Sequence, residues 1–103
     1  MVRLSDHDLK SLKNVFLDNF LEGDRLWLFG SRADLSKRGG DIDLYIESYL
    51  DSPEEAIEIK HRFIWQLEDK IGEQKIDVVL NLMKYPHPLP IHEIALTKGI
   101  RII

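Results

Sequence analysis

The chain contains no cysteine, which excludes a disulfide framework and thiolate metal ligands. It has no apolar run approaching the roughly 20 residues that a membrane-spanning helix requires. Its opening residues, Met-Val-Arg-Leu-Ser-Asp-His-Asp, lack the apolar core of a secretory signal, so a cytoplasmic setting is expected. Positive charge is in short supply: 14 Lys and Arg stand against 18 Asp and Glu, leaving a net −4 at pH 7. Proteins that grip nucleic-acid backbones display a basic surface, so nucleic acid is not expected as the principal partner. Repeats and low-complexity segments are also missing. What remains is an ordinary globular composition, 44% hydrophobic and 31% charged, in 103 residues. That length supports one hydrophobic core and leaves little for a second substrate-recognition domain. One domain over residues 1–103 is expected, and its function is expected to draw on a partner.

Ser5 opens a Ser-x-x-Asp pattern close to a capping box, and Leu9, Leu12, Phe16 and Phe20 follow at helical spacing, which predicts a helix from about Asp6 to Leu21 ended by Gly23. Arg25 to Phe29 is a short apolar run before Gly30 and reads as a buried strand. Residues 30–40 carry Gly-Ser in front and Gly39-Gly40 behind, predicting a turn and a short helix. Asp41 to Glu47 alternates as a second strand. Ser52-Pro53-Glu54-Glu55 is a helix start, with a hydroxyl cap, proline in the first turn and acids at the positive end of the dipole. Ala56, Ile59, Phe63, Leu67 and Ile71 form the apolar stripe of that helix, and Gly72 stops it. Lys75 to Asn81 reads as a third strand. Beyond the connector Tyr85-Pro86-His87-Pro88-Leu89-Pro90, a short helix over Ile91 to Lys98 and an apolar tail, Ile100 to Ile103, complete the chain. This order predicts a small α/β domain with helices packed on a short sheet.

One feature contradicts local propensity. Aspartate is depleted in strands, yet Asp41 and Asp43 sit two apart inside Asp-Ile-Asp-Leu-Tyr-Ile-Glu. Strand alternation turns both carboxylates to the face opposite Ile42, Leu44 and Ile46, with their roots about 7 Å apart. Asp77, in the third strand, can join them. Carboxylate oxygens at that spacing suit Mg²⁺, a hard cation that keeps waters and substrate phosphates in its shell. Three aspartates on two strands permit a two-metal arrangement that activates a hydroxyl nucleophile and offsets charge on departing pyrophosphate. Gly30 at a strand end lets the backbone approach phosphates, and Ser31 adds a hydroxyl donor. Arg32, with Lys37 and Arg38 nearby, can meet a triphosphate, or can serve as part of a solvated turn.

Phe29-Gly30-Ser31-Arg32-Ala33, then Asp41-Ile42-Asp43-Leu44, then Ile76-Asp77-Val78 resembles the signature of the DNA polymerase beta-like nucleotidyltransferase superfamily, in its minimal nucleotidyltransferase (MNT) branch. The resemblance covers nearly the whole chain. It implies a mixed sheet flanked by helices, Mg²⁺ (two ions) held by Asp41, Asp43 and Asp77, and ATP phosphates bound at Gly30 and Ser31. It further implies the antitoxin half of a HEPN/MNT toxin–antitoxin module, transferring AMP from ATP to a tyrosine of a HEPN-type toxin encoded by an adjacent gene. Asp77 is then the candidate for helping to deprotonate the incoming hydroxyl.

Two other readings remain beside this one. In the first, the chain is a non-catalytic module that masks its partner; in the second, it nucleotidylates a small molecule such as an aminoglycoside. Trp65 lies nearly opposite the apolar stripe of its helix, as surface packing or as an anchor for a homo- or hetero-oligomeric partner. The apolar tail is a second candidate interface. His7, His61, His87 and His92 form no metal-binding constellation in the sequence and read as surface or packing residues.

Overall fold

The structure, a computed structural model, describes residues 4–29, 42–72, 75–85 and 99–103. Helix α1 spans Asp6–Asn19, and its cap is the Ser5 hydroxyl, which accepts the Asp8 N–H at 3.0 Å. The helix stops two residues before the predicted end because Phe20 is already extended, and Phe20 turns its ring back into the core. Strand β1 (Arg25–Phe29) matches the sequence reading. Strand β2 (Ile42–Ser48) runs one residue beyond its predicted end. Helix α2 (Pro53–Ile71) is capped by Ser52, whose hydroxyl accepts the Glu55 N–H, and it ends at Gly72. Gly72 sits at φ +87, a conformation that side chains with a Cβ resist. Strand β3 spans Ile76–Leu82 and β4 spans Ile100–Arg101.

The four strands form one mixed sheet in the order β3-β2-β1-β4. Neighbours are antiparallel for β1 with β2 and for β1 with β4, whereas β2 and β3 are parallel, with α2 as their crossover. Both helices cover one face. Leu12, Val15, Phe16 and Phe20 of α1 and its cap meet Ala56, Ile59, Phe63 and Leu67 of α2 over Leu26, Leu28, Ile42, Leu44, Ile46, Ile76 and Val78 of the sheet. Phe16, Phe20 and Phe63 interlock, with ring centroids 5.0, 5.5 and 6.3 Å apart. Such edge and offset contacts stabilise beyond the area they bury. A polar clamp also joins the helices: buried Asn19 donates to the Gln66 side chain at 2.8 Å and accepts from Arg62 Nε at 2.7 Å.

The apolar tail corrects the sequence reading. Residues 100–101 are the edge strand β4, and Leu26 N–H donates to Ile103 O while Ile102 N–H donates to Leu26 O. Ile102 and Ile103 are partly buried and pack against the chain's own core. Two residues are too few for periodicity to mark a strand. The predicted turn and short helix over 30–40, the start of β2 at Asp41, and the predicted helix over 91–98 lie outside the described residues. No helix among the described residues is long and apolar enough to cross a membrane.

Candidate functional site

Opposite the helices, the other face of the sheet carries three successive rows of side chains. Phe29, Asp43 and Asp77 are paired partners across β1, β2 and β3 and make the first row. Arg101, Trp27, Tyr45 and Val79 make the second, across all four strands. Arg25, Glu47 and Asn81 make the third.

The first row brings together two of the three predicted aspartates. Asp43 and Asp77 are opposed in a parallel ladder, so their Cα atoms stand about 4.8 Å apart on adjacent strands. Asp43 is half-buried and Asp77 exposed. Asp41, Gly30, Ser31 and Arg32 lie outside the described residues. Among the described residues, no three His, Cys, Asp or Glu side chains gather as a metal-holding group. The Asp43–Asp77 pair nonetheless fits a divalent cation of the Mg²⁺ type by the chemistry of its donors: two hard oxygen ligands, one of them open to solvent, leave room for the waters and phosphates this ion retains.

The second and third rows form a packed floor beside that pair. Tyr45 is fully buried, although it lies on the face away from the helices. Its ring lies 5.4 Å from that of Trp27, and the guanidinium of Arg101 stands 5.8 Å above Trp27. The Tyr45 hydroxyl donates to Glu47 Oε2 at 2.9 Å and accepts from Asn81 Nδ2 at 3.1 Å. Burial pushes its pKa up to about 12; the Asn81 hydrogen bond opposes that shift, while the hydrogen bond and charge of Glu47 add to it. The hydroxyl therefore keeps its proton at any working pH. Strand alternation alone identifies Tyr45 as a same-face neighbour of Asp43, but nothing in the sequence marks its hydrogen bond to Asn81 on a different strand.

The far end of β1 and β2 is fastened by a buried carboxylate. Asp24 accepts from Ser48 Oγ at 2.6 Å, from Leu21 N–H at 2.9 Å and from Tyr49 N–H at 2.9 Å. With both oxygens satisfied, this carboxylate is a structural fastening. A groove of about 660 Å³ lined by His7, Lys10, Asn14, Asp18 and Lys70 lies on the helical side of the molecule. It carries charges of both signs and is separated from the aspartate row by the sheet.

A comparison with curated proteins finds no match. The family model described as a nucleotidyltransferase domain matches residues 9–102, from the first turns of α1 through β4. With that match over the mixed sheet and its two helices, the chain belongs to the nucleotidyltransferase domain family, of the polymerase beta-like superfamily, and its chemistry is nucleotide transfer.

Proposed function

We propose that this chain is a minimal, single-domain nucleotidyltransferase that transfers AMP from ATP to a tyrosine of a HEPN-type toxin partner and so acts as its antitoxin in the cytoplasm. The observation that carries the proposal is the pairing of Asp43 with Asp77 on the sheet face opposite the two helices, in a nucleotidyltransferase domain. Those two carboxylates, with Asp41, would hold the cation. Mg²⁺, when bound, neutralises triphosphate charge and lowers the pKa of the attacking hydroxyl. Gly30, Ser31 and Arg32 are assigned to the triphosphate, through close backbone approach, a hydroxyl donor and a guanidinium.

In the transfer, the partner's tyrosine oxygen forms a bond to the α-phosphorus in line with the bond from that phosphorus to the pyrophosphate oxygen, which breaks. Asp77, the more exposed member of the pair, takes the hydroxyl proton. Half-buried Asp43 is held by β2, an inner strand, and fixes the orientation of the row. The second substrate in this reading is a protein surface rather than a small acceptor.

The test is incubation with α-labelled ATP and Mg²⁺, with and without the product of the adjacent gene, using Asp43→Asn as control. Label on a partner tyrosine that disappears in the control supports the proposal. Tight ATP-independent association without label would replace it with a masking module, and label on an aminoglycoside alone would make the chain a small-molecule transferase.

A further inference from the structure

The floor beside the aspartate pair is more than filler. Tyr45 follows Asp43 by two residues on β2, and its partner Val79 follows Asp77 by two on β3. The side chain touches both neighbouring strands: its ring rests against Trp27 of β1, and its hydroxyl accepts from Asn81 of β3. Asn81 is 7% exposed and sits diagonally one row further on, so this hydrogen bond adds a directional side-chain tie between β3 and β2 to the backbone ladder and the apolar contact of Val79. Glu47 completes the tie as acceptor and is approached by Arg25 at 4.0 Å.

Such a tie has a purpose beside two facing carboxylates. Like charges directly opposite one another on adjacent strands repel, and that repulsion favours widening or slipping at the end of the ladder. A cation that demands near-ideal geometry tolerates little of either. A buried, satisfied polar network fixes a single arrangement better than apolar packing of the same volume.

We propose that Tyr45 is a positioning residue for the Asp43–Asp77 pair, its ring set against Trp27 and its hydroxyl bound to Asn81 and Glu47 so that the carboxylates of adjacent strands keep one separation. This rests on the reading of Asp43 and Asp77 as cation-holding residues. Tyr45 touches neither cation nor substrate; it acts through the two strands that carry them.

The experiment is a Mn²⁺ titration followed by electron paramagnetic resonance, with a non-hydrolysable ATP analogue present, on wild type, Tyr45→Phe, Asn81→Ala, the double variant and Asp77→Asn. Circular dichroism establishes that each is folded. Tyr45→Phe keeps the ring and loses the tie, and is expected to weaken Mn²⁺ binding about tenfold, the scale of outer-shell partners of metal ligands. Asn81→Ala is expected to do the same, and the double variant no more than either, because both break one connection. Affinity for the nucleotide analogue without metal stays within about twofold. Wild-type Mn²⁺ affinity in folded Tyr45→Phe, while Asp77→Asn loses binding, overturns the role of Tyr45 alone. Should Tyr45→Phe not fold, wild-type affinity in Asn81→Ala overturns it equally. Undiminished Mn²⁺ binding by Asp77→Asn would instead overturn the reading of the pair itself, and the inference with it.

Discussion

Asp43 and Asp77 are direct partners in the parallel ladder between β2 and β3. Two acids on adjacent strands are an arrangement that folding alone disfavours. Asp77→Asn removes one charge while keeping shape, so it is expected to unfold at the same temperature as wild type or a few degrees higher. Nucleotide transfer in the same variant is expected to fall by at least about 100-fold, the upper end of what outer-shell partners of a metal contribute. Thermal melts alongside labelled-ATP transfer check both. A variant that loses activity and stability together would mean that Asp77 is structural.

Asp24 predicts the opposite pattern. It is 3% exposed and accepts three hydrogen bonds at the end of the sheet remote from the aspartate row. Asp24→Ala strands Ser48 Oγ and two backbone N–H groups, and is expected to destabilise by about 3 to 5 kcal/mol. Urea unfolding measures that loss. Transfer activity, assayed well below the melting temperature, is expected to persist.

Alkaline unfolding reports on Tyr45. In the unfolded chain its hydroxyl ionises at the ordinary value of 10.0, whereas in the folded protein it holds its proton to about 12. The stability gained from this difference is fully present below pH 10 and is lost as pH rises through 12. It amounts to about 2 to 3 kcal/mol. Comparing unfolding free energies of wild type and Tyr45→Phe across that window isolates it, since other groups titrate alike in both proteins.

The two tryptophans should behave as opposites. Trp27 is 6% exposed beneath Arg101, and Trp65 is 69% exposed on α2. Trp65→Ala is expected to change stability by no more than about 0.5 kcal/mol, while Trp27→Ala opens a cavity costing about 3 to 5 kcal/mol. In acrylamide quenching, Trp27→Phe leaves an emission that is readily quenched, and Trp65→Phe leaves a protected one. Weaker association of the proposed toxin partner with folded Trp65→Ala would assign the exposed ring to that interface.

Much of this architecture is legible in the sequence because local signals agree. Ser5 and Ser52 cap the two helices as their patterns predict, and the stripe from Ala56 to Leu67 is buried. Alternation correctly separates Asp43 from Leu44 and Asp77 from Val78. It cannot show that Asp43 meets Asp77 in register, since a parallel pairing joined by a helix has no turn to fix its offset. The fastening at Asp24 was hidden for a similar reason: an aspartate after glycine reads as a turn residue, and its partner Ser48 is distant in sequence. Strand β4 carries no sequence signature because it is an edge of two residues whose pairing depends on β1. The remaining site residues, Gly30, Ser31, Arg32 and Asp41, stand on their motif alone.

That edge pairing also sets an order of events in folding. The parallel pair β2 and β3, with α2 between them, can assemble from a continuous middle stretch of chain. Residues 100–103 must find β1 from a distant part of the sequence, and contacts between such separated segments pay a loop-closure entropy before they gain anything. The β1–β4 edge is therefore expected to close late and to open early, so that substitutions at Ile100 or Ile102 speed unfolding while leaving the folding rate almost untouched.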